Sequence, residues 1–193
     1  MDQQGLIQVK ERLSRLQAAA DLIASSPSLY AQESAWLDFL LHHGTVYSKL
    51  EQAAKATSKG YAWFNKKKKE RKDDPLLSYL HHARNAGEHT IIETASKAEF
   101  SVTGTLAHPD GTLGLAFDDN GKPYAVAKGM NNVMVHRNEI MLCAAKDRGQ
   151  YYQAPRKHLG QAIEGQTARE VAALALEHAV RMIAEAETFV CPK

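Results

Sequence analysis

Asp73-Asp74-Pro75-Leu76-Leu77-Ser78-Tyr79-Leu80-His81-His82-Ala83-Arg84-Asn85-Ala86-Gly87-Glu88-His89 decides how the rest of the chain is read. An aspartate followed by proline is a helix start: the carboxylate accepts from an unpaired backbone N–H of the first turn, and proline at the first helical position gives up a donor with no intrahelical partner. The pattern predicts a helix from Pro75 to about Lys97. On it Leu77, Leu80, Arg84, Gly87 and Ile91 form one stripe, and His82, Asn85 and His89 share the adjoining face. Gly87 costs about 1 kcal/mol relative to alanine inside a helix, and close approach of another backbone is a reason to keep it. That points to a helix interface.

Upstream, Leu6, Val9, Leu13, Leu16, Ala20 and Ile23 recur at steps of three and four, the apolar stripe of an amphipathic helix ending near Ser25-Ser26-Pro27. A second helical stretch runs from Ser28 to about Lys72, with Leu29, Trp36, Leu37, Leu40, Leu41, Tyr47 and Leu50 at helical spacing and with Gly44 and Gly60 as its weak points.

Downstream the period changes. Phe100 to Leu106, Thr112 to Phe117, Tyr124 to Lys128 and Val133 to Ala144 are short β-rich segments, separated by Pro109-Asp110-Gly111, Asp119-Asn120-Gly121 and Gly129-Met130-Asn131-Asn132. The first two separators are hairpin signals. A loop follows from Asp147 to Gly160. A last helix opens on the capping box Thr167-Ala168-Arg169-Glu170 and runs to about Phe189; Val171, Leu174, Leu176, Val180, Met182 and Ile183 cover more than one of its faces, so burial on two sides is expected. The fold expected is mainly α: a helical bundle from residues 1–98 and 165–193, with a small antiparallel β-sheet insert and loop, 99–164, inside the same domain before the C-terminal helix.

With 193 residues, 44% of them hydrophobic and 24% charged, the chain can bury a full core. Its formal net charge of +2 is too small to imply nucleic acid, so the distribution of charge carries that argument. Cys143 and Cys191 fit no metal spacing or disulfide framework, which suits a reducing compartment. Charged residues Lys10, Glu11, Arg12 and Arg15 stand where a signal peptide would need an apolar core, and no apolar window is long enough for a membrane span. The expected location is cytoplasmic, away from any membrane.

The segment Tyr79 to His89, with Arg84, the polar Asn85 and then His89 five positions after the arginine, resembles the signature of the HEPN superfamily. The resemblance covers residues 1–98 and 165–193, the β insert having no counterpart in a minimal bundle. It implies a helical bundle that forms a homodimer and acts as a metal-independent RNA endonuclease, with no cofactor, and suggests an antitoxin-type partner protein. Arg84, Asn85 and His89 would be the catalytic residues. Imidazole titrates near neutral pH and can move the 2′-hydroxyl or 5′-oxygen proton, a fixed guanidinium can hold the phosphoryl oxygens, and Asn85 can orient His89 or bind a phosphate. Arg84 and His89 stand about 140° apart around a helix, so a partner helix belongs to the site. Two other readings stay open: a non-catalytic module that binds RNA or a nucleotide, and an interaction protein. In the plainest reading, Arg84 pairs with Glu88 and His89 lies on a solvated face.

Lys66, Lys67, Lys68, Lys69, Arg71 and Lys72 place six cations within seven residues, after Tyr61, Trp63 and Phe64. With His82 they are the candidate RNA-binding residues, able to follow a phosphate backbone beside an aromatic on which a base can stack; a solvated helix end is the competing reading. The adjacent pairs His42-His43 and His81-His82 diverge on a helix and suggest no metal site. Asp118-Asp119-Asn120-Gly121 reads as a turn rather than a calcium loop, and His178 as a hydrogen-bonded core residue. Arg148, Tyr151, Tyr152, Arg156, Lys157 and His158 make a polar, aromatic loop that could close over a ligand, with a surface connection as the plainer reading.

Overall fold

The computed structural model describes residues 1–89, 95–98, 101–117, 123–136 and 139–190. They are mainly helical, with small antiparallel sheets, and divide into two compact units: Met1–Ser96 with Ile140–Lys193, and Lys97–Glu139.

The first unit holds the helices. α1 (Gln3–Ser25) starts at Asp2, whose carboxylate accepts from the N–H of Gly5 at 2.8 Å, and buries Leu6, Val9, Leu16, Ala19 and Ile23. A three-residue turn joins it to α2 (Leu29–Ala54), and the two pack along their lengths as an αα-hairpin. α2 passes through Gly44 unbroken. The chain breaks instead at 55–57, where Thr57 caps α3 (Ser58–Asp73) by accepting from the N–H of Gly60 at 3.1 Å. The stretch expected to run from Ser28 to Lys72 is therefore two helices, because a threonine oxygen offers the backbone a better partner than continuation.

α4 (Pro75–His89) begins as its sequence demands: Asp74 Oδ1 accepts from the N–H of Leu77 at 2.9 Å. It buries Leu76, Leu77, Tyr79, Leu80, Ala83 and Ala86. The helix expected to reach Lys97 does not, since Ala95–Ala98 is a strand, β1. Its β-branched and polar residues Thr90, Ile91, Ile92, Glu93 and Thr94 lie outside the described residues, as do the side chains of Gly87, Glu88 and His89. The interface expected at Gly87 and the pairing of Arg84 with Glu88 fall there too.

α5 (Ala168–Glu187) buries Ala168, Val171, Ala172, Ala175, His178, Ala179, Met182, Ile183 and Ala186, one stripe at helical spacing. Val180 is 45% exposed and Leu174 and Leu176 are only partly buried, so burial on two sides is corrected to burial on one. Alanines supply most of that stripe and let α5 lie close to α1 and α2. The capping box is half made. Thr167 Oγ1 accepts from the N–H of Glu170 at 3.1 Å, but the Glu170 carboxylate reaches past the cap to the N–H groups of Glu164 and Gly165, at 3.1 and 2.7 Å.

Residues 97–139 contain β2 (Ser101–Leu106), β3 (Thr112–Phe117), β4 (Pro123–Lys128) and β5 (Met130–His136). β3 and β4 pair antiparallel from Thr112↔Lys128 to Phe117↔Pro123, and the turn residues between them lie outside the described residues. β2 pairs antiparallel with β5, its register shifting between Thr103 and Thr105. Pro109-Asp110-Gly111 thus does not close a ladder between β2 and β3 among the described residues: it turns the chain so that β5, later in sequence, becomes the partner of β2.

β6 (Glu139–Leu142) is followed by two short hairpins in the first unit, where the sequence had suggested a plain loop: β7 (Ala145–Asp147) with β8 (Gln150–Tyr152), and β9 (Lys157–His158) with β10 (Gln161–Ala162). The β7–β8 turn is Arg148-Gly149, both at positive φ, 49° and 82°, which is the backbone twist a two-residue hairpin requires.

Candidate functional site

Capping at Asp74 fixes the register of α4, and that register sends His81, His82, Arg84 and Asn85 to its half-buried side while leucines and alanines face the core. His82 and Asn85, three residues apart and so neighbours on one helix face, meet a single acceptor. His82 Nδ1 lies 2.8 Å from Asp147 Oδ2, and the Asn85 amide donates to the same oxygen at 3.1 Å. A carboxylate can only accept here, so Nδ1 of His82 carries a proton toward Asp147, and Nε2 is the nitrogen that bears the lone pair whenever the ring is neutral. The tight Arg148-Gly149 turn aims Asp147 at α4, and the same hairpin brings Tyr152 over His82, the rings stacked at 3.5 Å and 10°.

The hydrogen bond from His82 holds the Asp147 carboxyl below the usual carboxylate range. Burial opposes this, while the Asn85 amide and the charges of His82 and Arg148 reinforce it. Asp147 is only 8% exposed against 23% for His82. The anion is thus enclosed and its imidazole partner reaches toward solvent.

Behind this edge lies a layer of cations and neutral imidazoles. Arg84 runs over Gly44 of α2: a Cβ at Gly44 would stand 2.5 Å from Cδ and 2.9 Å from Nε of Arg84. The Arg71 guanidinium sits 4.7 Å above the Tyr47 ring. His81 packs edge-on against His82 and is lowered to about 4 by burial first, then by Arg71, His82 and Arg84. His43, between Phe39 and Tyr47, is lowered to about 3, chiefly by burial and further by His178, Arg71 and His81. Its Nε2 is buried with no hydrogen-bond partner.

A second polar seam holds the frame. Asp74 accepts from His158 Nδ1 at 3.0 Å and from the N–H of Leu159 at 2.7 Å besides capping α4. Burial raises its carboxyl, but these hydrogen bonds win and the net shift is downward. His178 donates to Glu70 at 2.6 Å, which makes it the hydrogen-bonded core residue its sequence suggested. The Tyr79 hydroxyl donates to the Cys143 carbonyl at 2.8 Å and ties α4 to the chain entering β7.

Of the residues singled out from sequence, Arg84, Asn85 and His82 all lie on α4; His82 and Asn85 meet at Asp147, while Arg84 turns to Gly44 of α2. Asn85 is directed to Asp147, so its amide orients the carboxylate behind His82. His89 is the last residue of α4 and its side chain is outside the described residues. The lysine run is divided. Lys67 pairs with Glu185 at 2.9 Å, Lys68 with Glu51 at 3.2 Å, and Arg71 covers Tyr47, while Lys66, Lys69 and Lys72 form an exposed stripe at intervals of three. Asp147 escaped sequence reasoning, while Tyr152 belongs to the polar, aromatic loop that it singled out. The available signal was an Arg-Gly pair between two short polar segments, which is weak because arginine rarely takes positive φ. Among the described residues no three histidine, cysteine or carboxylate side chains are grouped to hold a metal ion, and no helix is long and apolar enough to cross a membrane. Comparison with known proteins brings no match to any family model, curated protein or solved structure.

Proposed function

We propose that this chain is a HEPN-type helical bundle that cleaves RNA without metal as a homodimer, with Arg84 holding the scissile phosphate and with Asn85 and His89 completing the site. The observation that carries the reading is the placement of Arg84 and Asn85 on the half-buried side of a helix fixed at one end by Asp74 and held from outside by Asp147. Groups held on rigid elements need little reorganisation as negative charge gathers on the phosphoryl oxygens. The Arg84 stem, seated against Gly44, has its direction set by packing. The exposed stripe of Lys66, Lys69 and Lys72 supplies a path for the phosphate backbone, and a second protomer answers the angle between Arg84 and His89.

The test is cleavage of end-labelled single-stranded RNA by purified protein in excess chelator, with sedimentation to establish the dimer. Wild type is expected to cut, and Arg84→Ala and His89→Ala to lose about 100-fold or more in rate. Replacing Lys66, Lys69 and Lys72 together by glutamine should weaken binding and reduce the salt slope of log K by about 2, near 0.7 per single-strand phosphate contact. Equal background cleavage by wild type and His89→Ala would defeat the nuclease reading, and binding without cleavage would leave a binding module.

A further inference from the structure

We propose that His82, held by Asp147, is a proton-transfer group of this site and acts on an RNA 2′-hydroxyl through its Nε2. The inference rests on the nuclease reading above and adds to it a residue and a direction of proton flow. Nothing in the Arg84 to His89 spacing points to it; the geometry does.

Three observations converge. The 2.8 Å contact between Nδ1 and Asp147 Oδ2 turns the Nδ1 proton toward the carboxylate, so in the neutral ring Nε2 is the free nitrogen. Tyr152, stacked at 3.5 Å, and Asn85, bound to the same carboxylate oxygen at 3.1 Å, fix the ring plane and the anion. His82 is 23% exposed while its partner is 8% exposed, so the imidazole stands between an enclosed negative charge and solvent, where a substrate can reach it. Arg84, two residues along α4, lies close enough to influence the neighbouring His81.

In the step this implies, Nε2 takes the 2′-hydroxyl proton as the 2′-oxygen bonds to phosphorus. The P–O5′ bond breaks, its electron pair leaves with the 5′-oxygen, and that oxygen takes a proton from His89. The products are a 2′,3′-cyclic phosphate and a 5′-hydroxyl, with no change of oxidation state. Asp147 is a positioning residue: it steadies the imidazolium formed at His82 without taking the proton. The charged and titratable groups around this histidine are Asp147, which it contacts, and His81 beside it, with Arg148 near Asp147, and Arg84 of α4, Arg71 of α3 and His43 of α2 near His81.

The experiment is the chelated RNA assay with single-turnover rates, using His82→Ala with and without added imidazole, and Asp147→Asn. His82→Ala is expected to lose about 100-fold or more while still binding RNA, and imidazole to recover at least about tenfold of that loss. Asp147→Asn should lower kcat about tenfold or more with KM unchanged. Circular dichroism and thermal melting establish that each variant is folded; should His82→Ala fail to fold, His82→Gln in the same assay decides. If wild type cleaves, His89→Ala is dead and the His82 variants keep rates within threefold of wild type, the role given to His82 falls and the nuclease reading stands. Loss of activity in His82→Ala that imidazole does not restore, with KM raised and kcat unchanged in Asp147→Asn, also overturns it. Absence of cleavage by wild type removes both.

Discussion

Arg84 crosses α2 at Gly44, where any Cβ would stand 2.5 Å from Arg84 Cδ. A glycine in a helix interior costs about 1 kcal/mol relative to alanine, so its presence in the middle of α2 is accounted for by the arginine that lies over it.

Gly44→Ala therefore separates stability from function. Alanine favours the helix by about 1 kcal/mol, and moving the Arg84 stem offsets part of that, so the melting temperature should change little. On the proposed nuclease reading, the displaced guanidinium should lower RNA cleavage by about tenfold or more, since small misplacements of a group that holds the phosphate are costly. A variant that keeps wild-type cleavage would show that the position of Arg84 over α2 is immaterial.

Asp74 joins elements far apart in sequence by capping α4 and accepting from His158 and Leu159. Asp74→Ala removes the cap and strands the buried His158 donor and the partly buried Leu159 N–H, a loss of roughly 2–4 kcal/mol in urea unfolding. Asp74→Asn keeps one acceptor oxygen and should lose about half as much.

Acid should weaken the fold well above the carboxylate range. The folded values of His43 and His81, about 3 and about 4, lie below the ordinary 6.5, so between them the unfolded chain binds protons that the native state refuses. Stability is then level above about pH 6.5 and falls as pH drops toward 4, by about 1.4 kcal/mol per pH unit for each such histidine. His43→Phe, which suits the aromatic stack around it, should remove one histidine's share of that slope. Asp74 and Asp147, held below the usual range, act lower: the stability they give is present above about pH 4 and is lost as pH falls through their folded values. Denaturant midpoints from pH 8 to pH 4 for wild type and His43→Phe check the histidine part; an unchanged slope in the variant would contradict it.

Local chemistry was legible in the sequence. Asp74-Pro75 started α4, Thr167 started α5, and the stripe from Leu6 to Ile23 buried α1, because caps and periodic apolar residues act within one or two turns and need no distant partner. The same reasoning placed Arg84, Asn85 and His82 on one helix and His178 in the core. It overran where competition was local but subtle, as at Thr57, which ended one helix and capped the next. Tertiary structure alone decided that Asp147 would be the acceptor for both His82 and Asn85, 65 and 62 residues away. It also decided that Lys67 and Lys68 would pair with Glu185 and Glu51 while Lys66, Lys69 and Lys72 stayed exposed. A carboxylate's partner depends on which loop is delivered beside it, and that delivery hangs on a two-residue turn with positive φ at Arg148, a conformation arginine's own preference argues against.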